Sequence, residues 1–145
     1  MTIVLIDTSI FCNVLNIPNR NQRQAAVQQK LEEYLEANFT LLLPLATIIE
    51  TGNHIAQQPD SFRVAKRFVE EVRKALAGES PFVTTPALDQ ATLANLLNDF
   101  PDFAKRGIGL GDCAIIAEFD RQCQLHPHQH ILIWSLDHHL SSYDR

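Results

Sequence analysis

Four carboxylates, Asp7, Glu50, Asp112 and Asp137, fall at comparable places beside short apolar runs. Asp7 closes Ile3-Val4-Leu5-Ile6, and Glu50 lies about one turn beyond Leu41-Leu42-Leu43-Pro44. Asp112 opens Cys113-Ala114-Ile115-Ile116-Ala117, and Asp137 follows Ile131-Leu132-Ile133-Trp134. Short apolar runs bounded by turn residues read as buried strands. Parallel strands place their carboxyl ends on one sheet edge, where open α/β folds build their sites. Four acids converging there repel unless a cation lies among them. An all-carboxylate set suits a hard divalent ion, Mg²⁺ or Mn²⁺. That is the chemistry of metal-assisted phosphodiester cleavage.

The elements that must position these acids follow from periodicity and turn residues. Residues 3–6 read as strand one. Residues 21–37 read as a helix with Val27, Leu31, Tyr34 and Leu35 on one stripe. Strand two spans 39–43, and Pro44 suits the start of a helix running to about Gln57, with Ile48, Ile49 and Ile55 buried. Pro59-Asp60-Ser61 should stop it and cap the next helix, 62–77, whose apolar face is Ala65, Phe68, Val69, Val72 and Leu76. Gly78 is the stop signal there. Phe82-Val83-Thr84 reads as a short strand. Pro86 and Asp89 lead into a helix carrying Leu93, Leu96, Leu97 and Phe100, with a separate helical turn at 102–106. A helix at 112–124 and a strand at 130–135 complete the order. Strands alternating with helices indicate a three-layer α/β/α domain on a central parallel sheet.

Composition is consistent with this. A chain of 145 residues suffices for one domain, residues 1–145, and 46% hydrophobic with 20% charged residues is ordinary for a globular protein. No apolar stretch reaches the roughly 18 residues that span a bilayer, and a strand starting within three residues leaves no room for a signal peptide. Cys12, Cys113 and Cys123 lack a C-x-x-C pair and read as reduced thiols, which with the preceding points suggests a cytoplasmic protein. The net charge of −5 argues against broad electrostatic binding of nucleic acid and leaves room for a local basic track.

Taken singly, each acid has a plainer reading: Asp7 as a turn residue, Asp112 and Asp137 as helix caps, Glu50 on a solvated face with Asn53 and His54. The joint arrangement resembles the PIN-domain ribonucleases, and within them the stand-alone VapC-type toxins. The similarity runs over nearly the whole chain. It rests on Ile3-Val4-Leu5-Ile6-Asp7-Thr8-Ser9, on Ile48-Ile49-Glu50, on Gly109-Leu110-Gly111-Asp112-Cys113-Ala114-Ile115-Ile116-Ala117, and on Ile131-Leu132-Ile133-Trp134-Ser135-Leu136-Asp137. The resemblance implies that Asp7, Glu50, Asp112 and Asp137 are the catalytic, metal-binding acids. It implies that Ser135 steadies the site and that Thr8 lies close by. It further implies Mg²⁺- or Mn²⁺-dependent cleavage of RNA to 5′-phosphate and 3′-hydroxyl ends, a cognate antitoxin as partner, and homodimer formation. Two departures stand out: only Leu140 to Arg145 remain for the family's last edge strand, and His138-His139 replace an aromatic residue after Asp137.

Among basic residues, Lys105 and Arg106 precede Asp112 closely enough to hold RNA, and His138 flanks Asp137. Arg63, Lys66, Arg67, Arg73 and Lys74 read as a salt-bridged surface helix. His126, His128 and His130 alternate in a stretch that reads as a solvated loop, with a transition-metal site as the lesser alternative. Two rival functions remain open at this level: a PIN-like module that binds RNA or protein without cutting, and a phosphomonoesterase on a similar sheet. A haloacid-dehalogenase-type site is disfavoured because Ser9 and Phe11 stand where it needs Asp and Thr, and no phosphate-loop or dinucleotide fingerprint is present.

Overall fold

A computed structural model describes residues 1–145. Four parallel strands, β1 (Thr2–Ile6), β2 (Thr40–Leu43), β3 (Phe82–Thr84) and β4 (His130–Trp134), lie in the order β3-β2-β1-β4. The helices are α1 (Thr8–Val14), α2 (Gln24–Glu36), α3 (Leu45–Ala56), α4 (Ser61–Leu76), α5 (Gln90–Lys105), α6 (Leu110–Leu125) and α7 (His138–Ser141). The chain steps outward from β1 to β2 to β3, then returns to add β4 on the other side of β1. That reversal makes the crevice beyond the carboxyl ends of β1 and β4 the topological switch point of the sheet.

β1, β2 and β4 are apolar beyond their first residues because both faces are covered, whereas edge strand β3 leaves Val83 half exposed. Side chains alternate across a strand. Val4, Ile6, Leu41 and Leu43 therefore point to one face, where they pack with Ile10, Phe11, Val27, Leu31, Ile55, Val64 and Phe82 under α1 to α4. Ile3, Leu5, Leu42, Ile131 and Ile133 point to the other, against Ile115, Ile116 and Phe119 of α6 and Leu140 of α7. Leu96 of α5 packs on α6 beside Ile108 and Cys113. The α/β/α layering expected from the alternation of strands and helices is the layering found.

Several local expectations need correction. Helix α1, directly after Asp7, falls in residues 8–20, to which the sequence pattern assigned no element. Ile49 is 54% exposed; the face of α3 turned to the core carries Thr47, Thr51 and Ile55, with Ile48 partly buried beside them. Helix α4 meets the core through Val64, Phe68, Val72 and Ala75. Val69 and Leu76 stay exposed, aligned with exposed Phe62 at sevenfold spacing on a second, uncovered stripe. Leu93 and Leu97 are likewise exposed on α5. Asp60 makes no capping hydrogen bond and instead pairs with Arg63 at 2.8 Å. The turn at 102–106 is the end of α5, which runs through Pro101 without interruption. Gly78, with φ of 74°, ends α4 in the left-handed conformation that favours glycine.

The C-terminal residues pair with the outer edge of β4. Ile131 N donates to Arg145 O at 2.7 Å, Arg145 N to Ile131 O at 2.8 Å, and Ile133 N to Tyr143 O at 3.0 Å. This short antiparallel segment stands where a last edge strand was expected to be short or absent. No helix is long and apolar enough to cross a membrane.

Candidate active site

The strand register brings the first and last acids together. Ile6 pairs with Trp134, and Asp7 N donates to Trp134 O at 3.1 Å, so Asp7 and Ser135 leave the sheet side by side. Asp7 is only 4% exposed, and three donors orient its carboxylate. Oδ1 accepts from Thr8 N at 2.6 Å, and Oδ2 accepts from the hydroxyls of Ser9 at 2.8 Å and Ser135 at 2.5 Å. Ser135 Oγ in turn accepts from Asp137 N at 2.9 Å, and Ser9 Oγ from Leu136 N at 3.1 Å. Two serine hydroxyls thus stitch the end of β1 to the loop that carries Asp137. Asp137 caps α7, accepting from His139 N at 3.2 Å. A cap and a site acid are compatible roles here.

Glu50 arrives from α3. The buried hydroxyl of Thr47 donates to Ile6 O at 2.7 Å, fixing the first turn of α3 to the end of β1. One turn on, Glu50 faces the cleft and accepts from Thr8 Oγ1 at 3.2 Å. Its carboxylate lies against α6 at Gly111. A Cβ at position 111 would stand 1.5 Å from Glu50 Oε1, so only glycine admits this approach. Asp112 follows in the first turn of α6. The cap of that helix is Gly109, not Asp112, whose carboxylate is therefore free to face the other acids.

The four acids line one open cleft of about 280 Å³ with Thr8, Ser9, Cys12, Asn13, Arg20 and His54. Their proximity shows in the electrostatics. Asp112 is pushed up from 3.8 to about 6, first by burial and then by the charges of Asp7, Glu50 and Asp137. His54, one turn after Glu50, is held below its ordinary value by burial and by Arg20, with Glu50 opposing. Burial pushes the Cys12 thiol up to about 11, so it is neither a thiolate nucleophile nor a ready metal ligand.

The donor set is oxygen-only and fits a hard divalent cation. As the side chains stand, no three His, Cys, Asp or Glu residues form an arrangement that could hold a metal ion. Glu50 is turned to Thr8, and Asp137 to the His139 amide. Like charges repel, and each of these two carboxylates is held by a donor within the protein.

Other expected residues lie elsewhere. Lys105 and Arg106 stand at the end of α5 outside the cleft lining, Arg106 with its guanidinium carbon 4.9 Å from the centre of the Phe103 ring. His138 is exposed at the start of α7. His130 pairs with Asp144, and with His126 and His128 it forms no metal-ligand cluster. On α4, Lys74 pairs with Glu70 and Glu71, as a surface helix should, but Arg67 donates to Leu15 O at 2.5 Å. Sequence reasoning missed Ser9, Thr47, Gly111 and Arg20. Ser9 and Gly111 were within the quoted motifs, whereas nothing in the local sequence marked Thr47 or Arg20.

Fold and cleft define an α/β protein with an acidic site at the switch point of a parallel sheet. No family model and no curated sequence matches the chain. Solved structures share its fold, among them two DNA-bound complexes. One is FitAB bound to an IR36 DNA fragment, 18% identical, with a TM-score of 0.55, covering 97% of this chain and 89% of that one. The other is VapBC2 from Rickettsia felis bound to a DNA fragment from their promoter, 12% identical, with a TM-score of 0.53, covering 92% of this chain and 99% of that one.

Proposed function

We propose that this chain is a PIN-type, Mg²⁺- or Mn²⁺-dependent endoribonuclease and the toxin of a toxin–antitoxin pair. The observation that carries the reading is the gathering of Asp7, Glu50, Asp112 and Asp137, from four separate segments, along one cleft. The motif resemblance to VapC-type toxins and the fold shared with VapBC2 and FitAB support it. Exposed apolar residues along α3, α5 and α6, including Ile49, Leu93 and Leu110, offer a surface for an antitoxin or a second copy.

In this reading the four acids hold one or two ions, with Ser135 and Thr8 in support. When bound, such an ion activates water and neutralises charge growing on the scissile phosphate. The rest is the work of the chain. Ser9, Ser135 and the Thr8 amide fix the orientation of Asp7. Thr47 and Gly111 set the depth of Glu50. Partial burial raises the strength of every charge interaction in the cleft.

The test is incubation of purified protein with tRNA, rRNA and mRNA, with Mg²⁺, Mn²⁺ or EDTA, alongside Asp7→Asn. Cleavage should need the divalent ion and fall by orders of magnitude in the variant. Undiminished cleavage in EDTA, or RNA binding without cleavage under all conditions, overturns the enzyme reading; the second outcome favours a binding module. Turnover of a small chromogenic phosphate ester in place of RNA favours a phosphomonoesterase. Growth arrest on expression, relieved by Asp7→Asn or by an adjacently encoded small protein, tests the toxin role separately.

A further inference from the structure

We propose that Arg20 is a substrate-binding residue that holds a phosphate of single-stranded RNA beside the acid cleft. The inference builds on the nuclease reading and adds a subsite to it.

A cleft lined by four carboxylates repels a polyanion. Metal charge relieves this at the scissile phosphate only, and the neighbouring phosphates need a cation of their own. Arg20 is the one lysine or arginine lining the cleft. Its guanidinium makes no ion pair and no hydrogen bond within the protein, although four acids line the same cleft. Its five N–H donors therefore remain available, in the planar fork that suits phosphate.

The backbone that carries it is built. Residues 15–23, between α1 and α2, turn twice through positive φ, at Asn16 (54°) and Asn19 (67°). Asn21 Nδ2 donates to Asn16 Oδ1 at 2.6 Å, Asn19 Nδ2 to Gln58 Oε1 at 3.1 Å, and Gln22 Nε2 to Asn19 O at 2.8 Å. Arg20 N itself donates to Ile17 O at 3.0 Å, and Ile17 is fully buried. A second set of bonds ties this loop to the turn that fixes Asp7. Asn13, buried under the loop, donates to Ser9 O at 2.8 Å and accepts from Arg23 N at 3.0 Å. Ser9 is the residue whose hydroxyl holds Asp7. The loop that presents Arg20 is thus set in place against the first site acid, while the guanidinium itself is left without a structural task.

The test uses Arg20→Ala and Arg20→Lys with a fluorescein-labelled single-stranded RNA oligonucleotide. Anisotropy in EDTA reads binding as a function of salt, and cleavage in Mg²⁺ is followed in parallel. Both variants should melt with the wild type, since the side chain bonds to nothing in the fold. Arg20→Ala should bind roughly ten-fold more weakly at low salt. It should flatten the plot of log K against log salt by about 0.7, the value for one phosphate contact on a single strand. Arg20→Lys, which keeps the charge, should retain that slope. In cleavage, KM should rise more than kcat falls. Equal or tighter binding by Arg20→Ala with an unchanged slope overturns the subsite while cleavage by the wild type upholds the nuclease. An Arg20-dependent slope without any cleavage upholds the subsite and overturns the nuclease. A wild type that neither binds nor cuts RNA overturns both.

Discussion

Replacing Asp112 with Asn should make the metal-free protein more stable. The carboxyl of Asp112 is raised from 3.8 to about 6 by burial and by Asp7, Glu50 and Asp137. Two pKa units correspond to about 3 kcal/mol between the protonation states. The group is about half buried, so solvent screening reduces this by roughly half. Asn also forgoes a favourable charge in the first turn of α6, which costs about 0.3–1 kcal/mol. No cap is lost, because Gly109 occupies that position. The net expectation is a gain on the order of 1 kcal/mol at neutral pH, or about 2–4 °C in Tm for a chain of this size. The pH dependence follows from the sign of the shift. A carboxyl with a raised folded pKa binds more protons folded than unfolded, so wild-type stability falls as pH rises from about 4 to 6 and stays lowered above it. The advantage of Asp112→Asn should therefore be absent near pH 4, grow through that window and level off. Added Mg²⁺ should raise the Tm of the wild type more than that of the variant, since the ion binds the folded site. Melting curves of both proteins between pH 4 and 8, in EDTA and in Mg²⁺, decide it. A variant that melts lower at pH 7.5 in EDTA, with a gap indifferent to pH, would refute the claim that these carboxylates share one electrostatic site.

Two further substitutions probe the supports. Ser135→Ala removes the 2.5 Å hydrogen bond to buried Asp7 and the acceptor of Asp137 N. It should cost about 1–3 kcal/mol in urea unfolding and at least ten-fold in RNA cleavage; a neutral effect on both would make the hydroxyl incidental. Gly111→Ala should separate stability from activity. Alanine favours the helix by about 1 kcal/mol, yet its Cβ would fall 1.5 Å from Glu50 Oε1 and force that carboxylate aside. The Tm should hold or rise while cleavage falls ten-fold or more, and a variant that stays fully active would show that the placing of Glu50 is not critical.

The alternation of apolar runs with amphipathic stretches was enough to order strands and helices and to imply a parallel sheet, because burial on both faces leaves a strand apolar throughout. The position of Asp7, Asp112 and Asp137 beside such runs was legible for the same reason. Helix faces were less so. Periodicity shows which residues are apolar, not how much of an amphipathic face a neighbour covers, and Ile49, Val69, Leu76, Leu93 and Leu97 are exposed although their spacing suits burial. Which residues meet across the sheet was settled by register alone: Ile6 opposite Trp134 sets Ser135 on Asp7, 128 positions apart. Thr47 carries no mark in the sequence, and Gly111, though inside a motif, shows nothing of its role there, because each acts on a partner distant in the chain. The hydroxyl needs the end of β1, and the missing Cβ needs Glu50. Local chemistry is written in consecutive residues, whereas its convergence depends on long-range packing that only the folded chain supplies.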